Sequence, residues 1–435
     1  MIIRSATRPW FSNVRAPMWA HCSAVDSSMR RKLSGFASVT AMPRCYSGSR
    51  VQAMRSCDVV VIGGGIAGVS AAARLAEQGA SVVLVEAEAT LAFHTTGRSA
   101  AQYLENYGND EVRKLTLASK ASLLPFLGPR PELMVGREPR VEALKAQVEH
   151  AKTLVPTTEF LDGDQAREIL PILRPEIAGA LWEPDSKDID VASYHQNFVQ
   201  RFRAADGTIH TSAPVRSLER TEGSWRVVAG EHTLAAPVVV NAAGAWGDRI
   251  GELAGAQPLG LHPLRRTIAI AAIPEHFDAD EVRRWPITAF QPDDRSGMIG
   301  YCKPEPGGLL VSPADETPSE PCDAKPEEHD VALGLHNLAA FTTLEVRHVR
   351  STWAGLRTFT SDRTPVSGYD RAVDGFYWLV GQGGYGIHTA DALAQATAAN
   401  IGDAAWPDRL IELGLSPSHV AADRPGLAGP LTDGY

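Results

Sequence analysis

The stretch from Cys57 to Glu86 constrains this chain more than any other. Cys57-Asp-Val-Val-Val-Ile62 is a β-branched run without helical period, and Gly63-Gly64-Gly65-Ile66-Ala67-Gly68 follows at once. Small and apolar residues continue from Val69 to Gln78, Gly79 ends the run, and Ser81-Val-Val-Leu-Val-Glu86 is a second apolar run. The order reads strand, turn, helix, strand. Each glycine has its own duty: Gly63 makes the tight turn, Gly65 lets backbone approach a pyrophosphate, and Gly68 lets the helix pack close to the strand. Free N–H groups and the positive dipole end of the helix then face the phosphates. Glu86 ends the second strand, where a carboxylate accepts hydrogen bonds from a ribose and repels a 2′-phosphate. A glycine pattern alone is weak, but the four pieces in one register predict a dinucleotide site on a Rossmann-like α/β sheet. They do not separate FAD from NAD.

The rest of the composition excludes several classes. At 435 residues the chain is long enough for two domains. Its 42 basic and 51 acidic residues give a net charge of −9, which argues against binding to nucleic-acid phosphates. The five cysteines (Cys22, Cys45, Cys57, Cys302, Cys322) are scattered, without the Cys-x-x-Cys spacing of a metal or redox site. No apolar run approaches the ~18 residues of a membrane-spanning helix. Residues 1–56 are set apart by Arg and Ser, and up to Arg55 they hold one acid, Asp26. They are expected to be a disordered extension: either a dispensable upstream segment ahead of a body starting at Met54, in a cytoplasmic protein, or a mitochondrial presequence.

Three later segments bear on the cofactor. His94-Thr-Thr-Gly-Arg-Ser-Ala-Ala-Gln-Tyr103 is expected to begin a helix, with Arg98, Ser99, Ala100 and Ala101 beside a flat ring that larger side chains would block. Ordinary packing of a capped helix is the alternative. Pro237-Val-Val-Val-Asn241 reads as a buried strand entering a small-residue turn, Ala242 to Trp246, where Ala243, Gly244 and Trp246 can approach a cofactor. Val215, on the first of two upstream meander strands, is placed to line the adenine. Gly375 to Gly381 reads as strand, Gln382-Gly-Gly-Tyr-Gly-Ile387 as a glycine turn, and His388 to Asn400 as an alanine-rich helix. A helix N-terminus there would stabilise charge on a reduced flavin, which a nicotinamide site does not need. Arg266 and Arg357 are candidates for gripping a carboxylate in two-pronged geometry, although a single arginine is more often a surface or ion-pair residue.

These motifs resemble the D-amino-acid oxidase superfamily, and among its members the bacterial D-arginine dehydrogenases. The likeness runs from about Cys57 to Asn400 and is most specific at His94–Tyr107, Pro129-Arg-Pro-Glu132, Asn241–Trp246, Thr352–Arg357 and Gln382–Ile387. It implies FAD in a flavin-binding domain made of residues 57–130, 188–255 and 345–410. A mixed-sheet substrate domain, 131–187 and 256–344, and a tail, 411–435, complete the chain. It places Gly355, Gly384, Tyr385, Gly386 and Ile387 with the residues above at the flavin. Arg266 and Arg357 fall near the substrate carboxylate, Tyr107 and Tyr301 at the closure of the pocket, and Glu132 where an acid meets a cationic substrate side chain. The sequence departs from the pattern at Gln102, where a histidine is expected, at Leu104 and Ile287, and at His388, near an expected glutamine. His388 could restore a titratable group, though a histidine at a helix start is commonly a local hydrogen-bonding residue. The activity implied is oxidation of a D-amino acid, with D-Arg and D-Lys the substrates that Glu132 would favour, by hydride transfer from Cα to flavin N5. The imine then yields a 2-oxo acid. The electron acceptor is a quinone or O2. A glycine or sarcosine oxidase, or a flavin-binding protein without turnover, are the alternatives.

Overall fold

The computed structural model describes residues 55–294 and 297–432. The expectations for the N-terminal extension therefore lie outside the described residues, apart from Arg55 and Ser56. Those two form a short strand parallel to His232–Ala236 and are not part of a disordered extension.

The front segment folds as strand Val59–Ile62, helix Ile66–Glu77 and strand Val82–Val85. These strands belong to a six-stranded sheet ordered Thr208–His210, Val82–Val85, Val59–Ile62, Val238–Asn241, Phe376–Val380 and Val366–Tyr369. All its pairings are parallel except the last. Both faces are covered, which explains why its strands are continuously apolar. Val59 and Val61 point into a core shared with the helices Ile66–Glu77, Val191–Ala204 and Ala390–Ile401. Val60 and Ile62 point the other way, against the antiparallel meander of Val215–Thr221, Ser224–Ala229 and His232–Ala236. Arg74 ties two of the covering helices through Asp391 at 2.6 Å.

A second, ten-stranded sheet carries the other half of the site. Its main path runs Gln382–Gly383, Val349–Phe359, His262–Ala271, Gly308–Ser312, Gly300–Glu305, Ile287–Phe290, Glu132–Arg137, Ile177–Glu183 and Glu159–Asp162. Strand Val349–Phe359 pairs along its length with His262–Ala271 in this sheet. The sequence had assigned residues 345–410 to the flavin-binding part. An isolated apolar strand does not reveal which sheet it joins. The last residues return to the body, with Leu427 buried in the core and Arg424 holding Asp362 at 2.8 Å.

Candidate active site

A cavity of about 430 Å³ opens where the front turn, the small-residue turn after Asn241 and the glycine turn after Val380 converge. Gly63 takes φ +109°, and a Cβ there would lie 2.4 Å from the carbonyl oxygen of Ala242. At Gly68 a Cβ would lie 1.9 Å from the Gly63 carbonyl oxygen, so helix and turn touch as the spacing predicts. Gly65, Ile66 and Ala67 line the cavity at the start of the helix. The Ile66 N–H is capped by Thr96 Oγ1 at 3.0 Å, a contact the sequence did not reveal. Glu86 lies just past its strand. Its two oxygens accept the Gly64 N–H at 2.6 Å and the Glu88 N–H at 2.8 Å, which fixes the carboxylate at the cavity wall.

Arg98, Ser99, Ala100, Val215, Ala243, Gly244, Trp246, Gly355, Gly384, Gly386 and Ile387 also line this cavity. The expected helix after His94 is instead a short 3-10 turn, Thr95–Arg98, followed by extended chain and the strand Gln102–Tyr103. Arg98 is held by the carbonyls of Ala324 and Ala354 at 3.0 and 2.9 Å and by Asp323. Ala101 has φ +56° and faces the neighbouring pocket. Tyr385 is a correction: its ring lines neither cavity but packs in a small core with Phe359, Val112 and Leu264. Nothing in a glycine turn distinguishes an aromatic that faces in from one that faces out.

The cavity fits an extended dinucleotide with a polar ring system. It joins a glycine turn at a helix N-terminus to a ribose-competent carboxylate. At its far end the side-chain nitrogen of Gln382 and the hydroxyl of Thr358 are buried without partners among the described residues. Such orphans are expected where a bound group supplies the missing hydrogen bonds.

A smaller pocket of about 60 Å³ adjoins it, lined by Gln102, Leu104, Tyr107, Glu132, Arg266, Ile287, Tyr301, Arg357, Gly384 and His388. Arg357 donates to Tyr107 Oη at 3.0 Å. A Cβ on Gly384 would lie 2.5 Å from that hydroxyl and 3.1 Å from Arg357 Cζ, so the glycine is what lets turn, tyrosine and guanidinium meet. Arg266 is buried, its Nε donating to the Asp315 carbonyl at 2.7 Å and a terminal nitrogen lying 3.4 Å from Glu316. Burial alone would raise the Tyr301 phenol, but the charges of Arg357 and Arg266 outweigh it and hold the group below its usual value. The Tyr301 hydroxyl is buried without a geometrically formed hydrogen bond.

Gln102 donates through Nε2 to the Arg130 carbonyl at 3.1 Å and to Ser186 Oγ at 3.0 Å, which leaves its Oε1 a buried acceptor without a donor. His388 Nε2 bonds the Gln102 carbonyl oxygen. A carbonyl only accepts, so Nε2 carries the proton and Nδ1, buried and unpartnered, is a bare acceptor. Burial pushes His388 down to about 4, with the Arg357 charge acting in the same direction. Of the two readings of His388, the structure matches the hydrogen-bonding one: the ring is neutral in the physiological range. Glu132 is 6% exposed and stands in direct register with Glu183 on the neighbouring strand. Glu183 was missed by sequence reasoning, and its only signal was an acid closing the apolar run Ile177–Glu183.

Two sheets, a dinucleotide cavity between glycine turns and an adjoining polar pocket define a flavin-dependent oxidoreductase. The chain belongs to the family described as DAO, FAD dependent oxidoreductase, whose pattern matches residues 58–400, and its cofactor is FAD. It is similar to mitochondrial dimethylglycine dehydrogenase of Mus musculus, 24% identical over 82% of this chain but only 43% of that protein, so it spans less than half of that relative. Glycine oxidase from Geobacillus kaustophilus shares the fold with a TM-score of 0.71 at 20% identity, covering 83% of this chain and 99% of that one. The FAD-bound L-alpha-glycerophosphate oxidase from Mycoplasma pneumoniae matches with a TM-score of 0.69 at 18% identity, over 80% of this chain and 95% of that one. Among the described residues no helix is long and apolar enough to cross a membrane.

Proposed function

We propose that the chain oxidises the Cα–N bond of an amino acid with a cationic side chain, of D configuration, to an imine and then a 2-oxo acid. The observation that carries this reading is the polar division of the small pocket. Across the sheet, Arg357 and Arg266 come from adjacent strands, Tyr301 from a middle strand and Glu132 from a strand beyond it. Donors therefore stand on one side and a carboxylate on the other. The free acceptors Gln102 Oε1 and His388 Nδ1 belong to the same pocket. An α-amino acid offers the complement: a carboxylate, N–H groups, and a distal cation. The D configuration rests on the motif resemblance.

In the mechanism this reading implies, Arg357 and Arg266 hold the substrate carboxylate, and Tyr107 steadies Arg357. Gln102 and His388 accept hydrogen bonds from the amine, orienting its nitrogen without taking a proton at neutral pH. Glu132 meets the side-chain cation, and a charge-assisted contact in so dry a site is strong. When bound, FAD supplies the two-electron acceptor for the Cα hydride, leaving an imine that water hydrolyses.

The similarity to dimethylglycine dehydrogenase and glycine oxidase favours a second reading in which the substrate is a small amine without a side-chain charge. That reading leaves Glu132 without a role. Anaerobic mixing of the FAD-loaded protein with a panel of D- and L-amino acids, glycine, sarcosine and dimethylglycine decides between them. The expected result is fastest flavin bleaching by D-Arg or D-Lys; bleaching by sarcosine or dimethylglycine with D-Arg inert overturns the proposal. Aerobic peroxide release compared with quinone reduction identifies the electron acceptor.

A further inference from the structure

The carboxylate pair behind the pocket has a role that binding a cation does not by itself explain. Glu132 and Glu183 are opposite residues of an antiparallel strand pair, so their side chains leave the same face of the sheet. Both are buried, at 6% and 0% exposure. Glu183 accepts the Glu105 N–H at 3.0 Å and Asn106 Nδ2 at 2.8 Å. No described cation lies within salt-bridge distance of either carboxylate.

The charged groups on the neighbouring elements are engaged with other partners. Lys120 is bound to Glu105 at 2.6 Å, and Tyr103 donates to the same carboxylate at 3.1 Å. Arg113 donates to Asn106 Oδ1 and Asp110. Arg130 and Lys303 hold Asp188 at 2.9 and 2.7 Å, and Lys303 also holds Glu305. On the pocket side, His388 is neutral, Arg266 is held by Asp315 and Glu316, and Arg357 lies against Tyr107. Two buried carboxylates on opposed positions of one sheet face cannot both ionise cheaply without a counter-charge. Burial raises both groups, and the Glu183 charge raises Glu132 further.

Resting on the reading that the substrate carries a side-chain cation, we infer that Glu132 and Glu183 share one proton in the empty pocket and release it to solvent when the cation takes its place. Glu183 is then a positioning residue that acts through Glu132. Charge balances: the pair goes from one negative charge to two as its proton leaves for solvent, and the incoming guanidinium or ammonium returns the site to its original net charge. Affinity for a cationic ligand rises about tenfold per pH unit while the pair holds its proton, then levels off once the pair is ionised. A ligand without the cation shows no such slope.

The test uses the FAD-loaded enzyme and 4-guanidinobutyrate, which has the carboxylate and the cation but no α-amine to oxidise, with hexanoate as the counterpart that keeps the carboxylate and lacks the cation. Calorimetric titration near pH 6 in two buffers of different ionisation enthalpy counts the protons released. Close to one proton for 4-guanidinobutyrate, none for hexanoate, and loss of that release near pH 9 is the expected result. Glu132→Gln abolishes both the release and the preference for the cation. Glu183→Gln keeps the preference but moves the pH of levelling downward, because the repelling neighbour is gone. Preferential binding of 4-guanidinobutyrate with no proton released overturns this inference and leaves the basic-substrate reading standing. Equal binding of the two ligands overturns that reading and the inference with it. If Glu183→Gln loses its flavin, the wild-type proton count and pH slope decide alone.

Discussion

Replacing Arg357 by alanine removes one side of the carboxylate clamp, and the structure sets how much is lost. Arg357 reaches the pocket from the strand Val349–Phe359 with one nitrogen 3.0 Å from Tyr107 Oη. Arg266 is poorly placed to compensate, because its Nε is committed to the Asp315 carbonyl at 2.7 Å and Glu316 lies 3.4 Å from a terminal nitrogen. Truncating one partner of a buried, hydrogen-bonded charge pair costs ~2–5 kcal/mol. The lower end applies here, since water can fill the gap and Arg266 still contributes charge. A loss of ~2 kcal/mol is about 30-fold in kcat/KM. The assay is stopped-flow flavin bleaching without oxygen, which separates apparent substrate affinity from the limiting reduction rate. Both are expected to fall, since a carboxylate no longer fixed in place also misdirects Cα. Arg357→Lys keeps the charge but loses the planar fork and is expected to be intermediate. Near-normal reduction kinetics in Arg357→Ala would refute the clamp.

Further substitutions test other parts of the frame. Gly384→Ala puts a Cβ against the Tyr107 hydroxyl and Arg357 and is expected to impair substrate binding more than flavin retention, read by comparing flavin content with apparent substrate affinity. Glu86→Ala removes the acceptor of the Gly64 and Glu88 N–H groups and is expected to raise the FAD dissociation constant at least several-fold, measured by flavin fluorescence on dilution. His388, pushed from 6.5 to about 4 by burial, is neutral when folded; its contribution to stability is complete above about pH 6.5 and is lost as pH falls through about 4. The difference in melting temperature between wild type and His388→Gln should therefore change in favour of wild type as pH rises from about 4 to 6.5 and stay constant above that, whereas no change across this window would contradict the assignment.

The front of the molecule was legible because its constraints are local. The Gly63 and Gly68 spacing follows from backbone approach within a few residues, and both the left-handed turn at Gly63 and the close packing of Gly68 on it are present. The segment after His94 was misread because its small residues suit a helix as well as an extended chain, and the choice depends on partners distant in sequence. Gln102 pairs with Asp188, and Thr95 Oγ1 donates to the Leu356 carbonyl at 2.6 Å. Tyr385 was placed at the cofactor by its motif, yet its ring turns to Phe359 and Tyr107. The state of His388 was not legible either: its neutrality comes from burial, and its tautomer is set by a hydrogen bond to a carbonyl 286 residues away.

In the proposed function, the orphaned polar atoms are the source of selectivity. Gln102 Oε1, His388 Nδ1 and the Tyr301 hydroxyl are each buried without a partner, and all three face one pocket. In an ordinary core such groups would destabilise the fold by ~1–3 kcal/mol apiece. A ligand that supplies the missing donors and acceptors removes that penalty, while an analogue lacking one group leaves it in place. Discrimination by hydrogen-bonding groups is therefore steep, whereas discrimination by methylenes against Leu104 and Ile287 is shallow. The consequence is measurable on the amine alone. Successive N-methylation of a good substrate removes the N–H groups that Gln102 and His388 await, and kcat/KM should fall at each step. If a tertiary amine reacts as fast as the primary one, these two residues do not read the amine.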